Sequence, residues 1–221
     1  MKEIKPIAFF HSPFTSKFGI PRQSNIAKGL KGRIVFEPEY RHPDALRGLE
    51  SFDYVWLIWG FSANRESDSL TVRPPRLGGN QRVGVFASRS PFRPNGLGLS
   101  SVRISAIADG EIEVEGADLM NGTPIYDIKP YIAYADAHPE ARGGFTDTHQ
   151  WKQLRVVIDS HLLAPFSDDD RQALLSALAH DPRPHYHDDP ARIYGMPFAG
   201  CDVRFRVDNG TLTVTDIVTD E

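Results

Sequence analysis

The 221-residue chain has 40% hydrophobic and 24% charged residues, the composition of an ordinary globular protein with one core, or with a main domain and a small appendage. Its formal net charge of −4 excludes nucleic-acid binding through overall basicity and leaves it only to a local basic patch. No apolar run suits a signal peptide or approaches the roughly 18 residues of a membrane span, and the single cysteine excludes an internal disulfide, so we expect a cytoplasmic protein with no membrane partner.

The first features along the chain are a polar loop and a strongly apolar strand. The loop at residues 18–23 places Arg22 and Gln23 on a frame of Gly and Pro, which favours binding. Residues 51–61 form the most hydrophobic run, rich in aromatic and β-branched side chains. This run is predicted to be a strand buried on both faces, whose C-terminal end leads into a polar loop.

Residues 72–103, called the arginine segment below, differ most from the rest of the chain. Sequence without Asp or Glu extends from 69 to 108, and Pro and Gly recur throughout the segment, which predicts tight turns of fixed geometry. Guanidinium groups on rigid turns suit planar anions such as phosphates and carboxylates. The arginines of the segment are Arg73, Arg76, Arg82, Arg89, Arg93 and Arg103.

Short strands at near-regular spacing indicate a mainly β fold. Candidate strands lie at 82–86, 99–107, 111–116 and 124–132, with Asp-Gly and Asn-Gly turn signals between them. Such a pattern favours a barrel or a sandwich over alternating βαβ units. The glycines from Gly96 onward lack the strand–turn–helix context of a dinucleotide fingerprint, so a Rossmann site is rejected.

The C-terminal part combines a helix with a hairpin. Residues 135–150 lack periodicity and are predicted to be an exposed loop or linker. Ser167 is predicted to cap a helix with three aspartates in its first turn. Residues 202–207 and 211–218 are predicted to pair as a β-hairpin. The apolar stripe of the helix is assigned to Leu174, Leu175 and Leu178.

The histidines do not favour a metal site. The candidate ligands have no cysteine partner and no helical His-Glu-x-x-His pattern, and prolines break their segment, so no metal is predicted. There is no G-x-S-x-G elbow for a serine nucleophile and no lysine for a phosphate-binding Walker loop. The candidate ligands considered are His180, His185, His187, Asp188 and Asp189.

A cluster of chemically distinct side chains lies on one predicted strand. On an extended chain Asp127, Lys129 and Tyr131 share one face, which places an acid, a base and a phenol side by side. The pattern fits either an ion pair that supports the strand or a functional role, and the nearby loop at 118–123 has an Asn-Gly turn whose amides are suited to a small ligand.

These segments together resemble the TsaA-like family, also called TrmO, of S-adenosylmethionine-dependent tRNA methyltransferases. The resemblance covers nearly the whole chain. It implies an N-terminal β-barrel with short helices at 1–150, which binds the cofactor, and a small α+β C-terminal domain at 151–221, in a protein that acts as a homodimer. The matching segments are HSPF and KFGIPRQ (11–23), RGLESFDYVWLIWGF (47–61), RPPRLGGNQRVGVFASRSPFRPNGLGLS (73–100), NGTPIYDIKPY (121–131) and HDPRPHY (180–186).

The resemblance also implies a cofactor site for S-adenosylmethionine. Its residues come from the loop around residues 22–25, the end of the aromatic strand, the arginine segment and the loop at 118–123. This sequence departs from the family at Asn121, where many relatives have Asp, so a carboxylate is replaced by an amide. The implied cofactor residues are Arg22, Gln23, Ser24, Asn25, Phe61, Ser62, Arg89, Leu99, Asp118, Leu119, Met120, Asn121, Gly122 and Thr123.

The implied reaction is N6-methylation of threonylcarbamoyladenosine beside the anticodon of threonine tRNA. The acceptor nitrogen must lose a proton, and we assign that step to Asp127 or Tyr131. Arg76 or Arg93 is predicted to bind the threonylcarbamoyl carboxylate, while other cations hold tRNA phosphates. The predicted substrate-binding residues are Arg73, Arg76, Arg82, Arg93 and Lys129, with bases stacked on Phe86 or Phe92.

Two other functions are compatible with parts of the sequence. The arginine segment alone would permit a non-catalytic RNA-binding or cofactor-sensing module. A metal-dependent hydrolase built on the histidines near the C-terminus is the second alternative.

Overall fold

A computed structural model describes residues 3–65, 67–149, 152–183 and 189–219. In chain order its strands are β1 (Ala8–His11), β2 (Lys31–Phe36), β3 (Tyr54–Gly60), β4 (Thr71–Val72), β5 (Val83–Gly84), β6 (Leu97–Ala108), β7 (Glu111–Glu115), β8 (Thr123–Pro130), β9 (Arg155–Val157), β10 (Tyr194–Phe198), β11 (Cys201–Asp208) and β12 (Thr211–Thr219). The α-helices are α1 (Pro43–Leu46), α2 (Ala133–Asp136), α3 (Phe145–Thr148) and α4 (Asp168–Ala179).

Six strands close into an antiparallel barrel in the order β1-β2-β7-β6-β3-β8. On β7 the alternation is regular, because Ile112 and Val114 are fully buried while the three glutamates between and beside them face outward. Gly110, at a φ of +77°, forms the tight turn from β6 into β7. The mainly β fold with an N-terminal barrel is confirmed.

The aromatic strand is shorter and less buried than the sequence predicts. It spans Tyr54–Gly60, and burial alternates along it, with Val55, Leu57 and Trp59 inside and Trp56 half-buried on the outer face. Because a closed barrel encloses only the inner face of each strand, continuous hydrophobicity does not produce burial on both faces here. The outer face is partly covered by Tyr131, whose ring centroid lies 5.5 Å from that of Trp56.

The C-terminal part is a four-stranded sheet in the order β10-β11-β12-β9, with α4 packed against it. The Ser167 hydroxyl accepts a hydrogen bond from the Asp170 amide at 3.1 Å, so the predicted cap is confirmed. The buried face of α4 differs from the predicted apolar stripe at one position, because Leu175 is only half-buried. Two alanines complete the buried face beside Leu174 and Leu178.

The N-terminal segment at residues 13–30 packs into this second core. Phe14 and Leu30 are buried among the side chains of the C-terminal sheet and α4. Gly19 has a φ of +91°, and a Cβ atom there would clash with the side chain of Met196 on β10. The segment that follows the first strand is therefore held by the C-terminal part of the chain.

Two expectations for secondary structure are wrong, and one strand was not predicted. The strand predicted at 82–86 is reduced to the two residues of β5, because the chain then turns at Val85, whose carbonyl accepts from the Ser88 amide and hydroxyl. The loop predicted at 135–150 contains the second half of α2 and all of α3. Strand β10 was not predicted, since Gly and Pro are poor strand residues; it lies at the edge of its sheet, where proline is tolerated.

In the part of the chain that the structure describes, no helix has the length and apolar character needed to cross a bilayer.

Candidate functional site

A cavity of about 1290 Å³ opens where β3 ends and β6 and β8 begin. The arginine segment forms one wall, the loop at 17–26 a second, and the turn at 180–183 after α4 a third. Its volume exceeds the 300–1,000 Å³ of ordinary small-molecule pockets. The cavity therefore has room for more than one small ligand.

Most of the predicted site residues line this cavity. Those that line it are Arg22, Gln23, Phe61, Ser62, Arg73, Arg76, Arg82, Arg89, Arg93, Leu99, Asp118, Met120 and Thr123. Eight predicted residues lie outside its lining: Ser24, Asn25, Leu119, Asn121, Gly122, Asp127, Lys129 and Tyr131.

A hydrogen-bonded chain of three side chains, called the floor of the cavity below, joins Trp59 and Asp118, which line the cavity, through Ser100 beneath them. The Trp59 indole Nε1 donates to Ser100 Oγ at 3.0 Å, and the Ser100 hydroxyl donates to Asp118 Oδ1 at 2.5 Å. Trp59 lies against Gly98, where any Cβ atom would clash with the indole ring. Ser100 is 1% exposed, so each bond is made away from water and fixes both of its partners.

Asp118 supplies a buried carboxylate in a cavity whose charged lining is mainly cationic. Burial raises the pKa of the Asp118 carboxyl, and this effect is opposed by the Ser100 hydroxyl, by the charge of Arg89 and by the Ser24 amide, which donates to the carboxylate. Among the described residues, the cavity is lined by seven arginines and two aspartates. A deep carboxylate below many guanidinium groups suits a ligand with a cationic centre and anionic groups further out.

Two arginines of the segment, Arg89 and Arg93, are held by hydrogen bonds to neighbouring groups. Arg89 Nη1 donates to Gln23 Oε1 at 2.7 Å and so joins the arginine segment to the loop at 17–26. Arg93 Nη1 donates to the Ser88 carbonyl at 3.1 Å, which holds its guanidinium at the wall. Such contacts orient the remaining N–H groups before any ligand arrives.

Exposed aromatic rings lie beside these arginines. Phe92 lines the cavity and is 47% exposed, and Phe86 on the same segment is 77% exposed. Large apolar side chains in water are costly unless a partner covers them, and aromatic rings next to arginines suit the faces of nucleic-acid bases.

The loop at 118–123 does not present its amides as the sequence suggests. The Asn121 and Gly122 amides donate to the carbonyls of Phe14 and Phe10, both at 2.8 Å. Asn121 Oδ1 accepts from the Ser12 amide at 3.2 Å, so its side chain faces the turn after β1. Asn121 thus lies away from the cavity, and Asp118 is the acidic member of this loop that lines it.

The cluster at Asp127, Lys129 and Tyr131 lies outside the cavity. Lys129 Nζ pairs with Asp127 Oδ2 at 2.8 Å, and Tyr131 packs on Trp56, which does line the cavity. Only the first residue of β8, Thr123, lines the cavity, so the strand carries the later residues away from it. The ion pair is present, and the assigned role in proton removal stays a prediction.

Sequence reasoning missed two parts of the site. Ser100 and Trp59 were given no role, although the small residues that alternate before Ser100 mark a strand on which a large ring packs closely. The wall at 180–183 belongs to a segment that matches the family, but it was given no place in the cofactor or substrate site, and Arg22 Nη2 donates to the carbonyls of Asp181 and Arg183 at 3.3 and 3.2 Å.

No metal centre is found in the described ranges, which contain no group of three His, Cys, Asp or Glu arranged to hold an ion. His185, His187 and Asp188 lie outside those ranges. His180 Nδ1 lies 2.8 Å from the Ser176 carbonyl, a contact typical of a helix C-terminus.

Comparisons with known proteins agree with this geometry. The family model for the tRNA-methyltransferase O N-terminal domain matches residues 9–137, and that for the TrmO C-terminal domain matches residues 152–220. A putative S-adenosylmethionine-dependent methyltransferase of Pseudomonas aeruginosa is 40% identical over 91% of each chain, and the tRNA (adenine(37)-N6)-methyltransferase of Escherichia coli (strain K12) is 34% identical over 93% of each. A crystal structure of TrmO from Pseudomonas aeruginosa superposes with a TM-score of 0.81 at 31% identity, over 99% of both chains.

Proposed function

Since the chain belongs to the tRNA-methyltransferase O family, we propose that it transfers a methyl group from S-adenosylmethionine to N6 of adenine 37 in tRNA. The observation that carries this function is the cavity itself. It combines one deep carboxylate with an arginine wall and exposed aromatic rings. Relatives over almost the full length of the chain are named a putative S-adenosylmethionine-dependent methyltransferase and a tRNA (adenine(37)-N6)-methyltransferase.

The residues present fit the cofactor. S-adenosylmethionine supplies an activated methyl group on a cationic sulfonium and also carries an amine, a carboxylate and an adenosine. Asp118 offers the negative charge that the cationic groups require, and Arg89 offers a fork for the carboxylate. Phe61 and Leu99 line the cavity with apolar surface suited to the adenine ring.

Asp127 and Tyr131 are proposed for proton removal from the acceptor nitrogen. Both lie outside the cavity lining, and the Tyr131 ring packs on Trp56, which does line the cavity. Asp118 lines the cavity as well, but it is already placed as the negative charge that binds the cationic groups of the cofactor. An Asp127→Asn variant that binds cofactor and tRNA normally and keeps full turnover would remove Asp127 from the mechanism.

The arginine segment is proposed to hold the anticodon loop. Its guanidinium groups suit tRNA phosphates, and Phe86 and Phe92 offer stacking surface to splayed bases. We propose threonine tRNA carrying threonylcarbamoyladenosine as the substrate, with Arg76 or Arg93 bound to the threonylcarbamoyl carboxylate. Phosphate contacts are also proposed for Arg73, Arg82 and Lys129.

We also propose the domain division, the oligomeric state and the location of the protein. The barrel at 1–150 and the α+β part at 151–221 are taken as two domains, in a homodimer that works in the cytoplasm. Sedimentation of the purified chain tests the oligomeric state.

Mass spectrometry of tRNA nucleosides from cells with and without the gene tests the function. We expect the methyl group on threonylcarbamoyladenosine to be absent without the gene. An unchanged nucleoside profile would contradict the proposal.

A further inference from the structure

The turn after α4 is a rigid part of the cavity wall. Asp181 has a φ of +51°, and its carboxylate accepts from Arg183 Nε and Nη2, both at 2.9 Å. The two side chains are 17% and 15% exposed, so the pair is largely shielded from solvent and from salt. The bidentate geometry fixes the carbonyls of the turn in one orientation.

Arg22 connects this turn to the loop at 17–26, another wall of the cavity. Its Nη2 donates to the carbonyls of Asp181 and Arg183, which belong to the C-terminal part of the chain. Burial lowers the pKa of the Arg22 guanidinium, which is consistent with a group enclosed between the two walls.

The residues that follow Arg22 are bonded to the barrel and to the site. The Gln23 side chain accepts from Arg89, and the Ser24 amide donates to the Asp118 carboxylate. Asn25, at a φ of +63°, donates through Nδ2 to the Ser101 carbonyl at 2.9 Å. The loop at 22–25 thus joins the C-terminal turn to both charged groups at which we place the cofactor.

We propose that the turn at 180–183 sets the conformation of the loop at 22–25, so that the C-terminal domain controls cofactor affinity through Arg22. Arg22, Asp181 and Arg183 are positioning residues in this account. The family resemblance implies that Arg22 binds the cofactor, whereas its hydrogen bonds to the turn indicate that it holds the cavity wall in place. This inference rests on the proposed function for the identity of the cofactor.

Two mild substitutions test the proposal without removing the packing between the two parts of the chain. Arg22→Lys keeps the charge and loses the fork, and Asp181→Asn removes the ion pair with Arg183. Asp202→Asn is the matched control, because it removes a pair with Arg204 (Nε to Oδ2 at 3.1 Å) on β11, outside the cavity lining.

Calorimetry with S-adenosylmethionine on the full chain should show about tenfold weaker binding for Arg22→Lys and for Asp181→Asn, and less than about twofold for the control. Because both act through the same bonds, the double variant should bind about as weakly as either single one. Amide hydrogen exchange without cofactor should be faster at 22–25 in both test variants.

Two results separate the possible failures. If the unaltered chain binds cofactor and both test variants bind and exchange like the control, the proposal is overturned even if their unfolding temperatures fall. If the unaltered chain binds no cofactor, the proposed function fails instead, and hydrogen exchange still decides whether the turn holds the loop.

Discussion

Replacing Ser100 by alanine tests the hydrogen-bonded floor of the cavity most sharply. The Ser100 hydroxyl accepts from Trp59 and donates to Asp118, so the substitution removes two buried hydrogen bonds through one atom. At about 1 kcal/mol for the neutral bond and about 1.5–3 kcal/mol for the charged one, the free energy of unfolding should fall by about 2–4 kcal/mol. For a chain of this length that corresponds to a decrease of about 5–15 °C in the unfolding temperature.

The same variant should weaken cofactor binding. The Ser100 hydroxyl lowers the pKa of Asp118 against the effect of burial, so its loss leaves more of the carboxyl protonated and less charge for a cationic ligand. We expect a higher cofactor Kd by calorimetry, since the substitution also removes the hydrogen bond that holds the Asp118 carboxylate in place.

Ser105→Ala is the matched control for the alanine substitution. It deletes an exposed hydroxyl on the same strand, one that donates to Glu113 at 3.1 Å, and should change stability by less than about 0.5 kcal/mol. Equal stability of the two variants, together with unchanged cofactor affinity, would refute the reasoning.

Three further predictions follow from the charges and rings around the cavity. Burial raises the pKa of Asp118, so ionisation of this carboxyl destabilises the fold as pH rises above about 4. Asp118→Asn should therefore gain stability relative to the unaltered chain between about pH 4 and 7, measured in denaturant titrations. A stability difference that stays constant over this range would count against the prediction. If Arg76 or Arg93 binds the threonylcarbamoyl carboxylate, replacing that residue by lysine should lower kcat/KM about tenfold on tRNA with threonylcarbamoyladenosine. The kcat/KM on unmodified tRNA should not change. Equal losses on both tRNAs would identify a phosphate contact. Phe92→Ala should weaken tRNA binding about 5- to 100-fold in filter binding without changing cofactor Kd, and normal tRNA affinity would exclude stacking on this ring.

Local patterns in the sequence predict much of the fold. The alternation of glutamate with Ile112 and Val114 predicts an amphipathic strand, and Ser167 followed by three aspartates predicts a helix N-terminus; both features are present. These elements are determined by neighbours in the chain, so the sequence contains the necessary information.

The contacts that build the site depend on closure of the barrel. Side chains alternate along a strand, so the sequence predicts that Asp127 and Lys129 share one face, and they do form an ion pair. The alternation does not predict which end of β8 meets the cavity. The bond between Ser100 and Trp59 depends on the register of β3 against β6. The contact between Arg22 and Asp181 joins residues 159 positions apart, and no local pattern predicts it.

The central claim is tested most directly by a methyl-transfer assay with purified components. The chain is incubated with isotope-labelled S-adenosylmethionine and threonine tRNA that carries threonylcarbamoyladenosine, and the digested nucleosides are analysed by mass spectrometry. We predict one labelled methyl group on the modified adenosine at position 37, and none when cofactor or protein is omitted. Cofactor binding by the chain without label on any nucleoside of this tRNA would contradict the account.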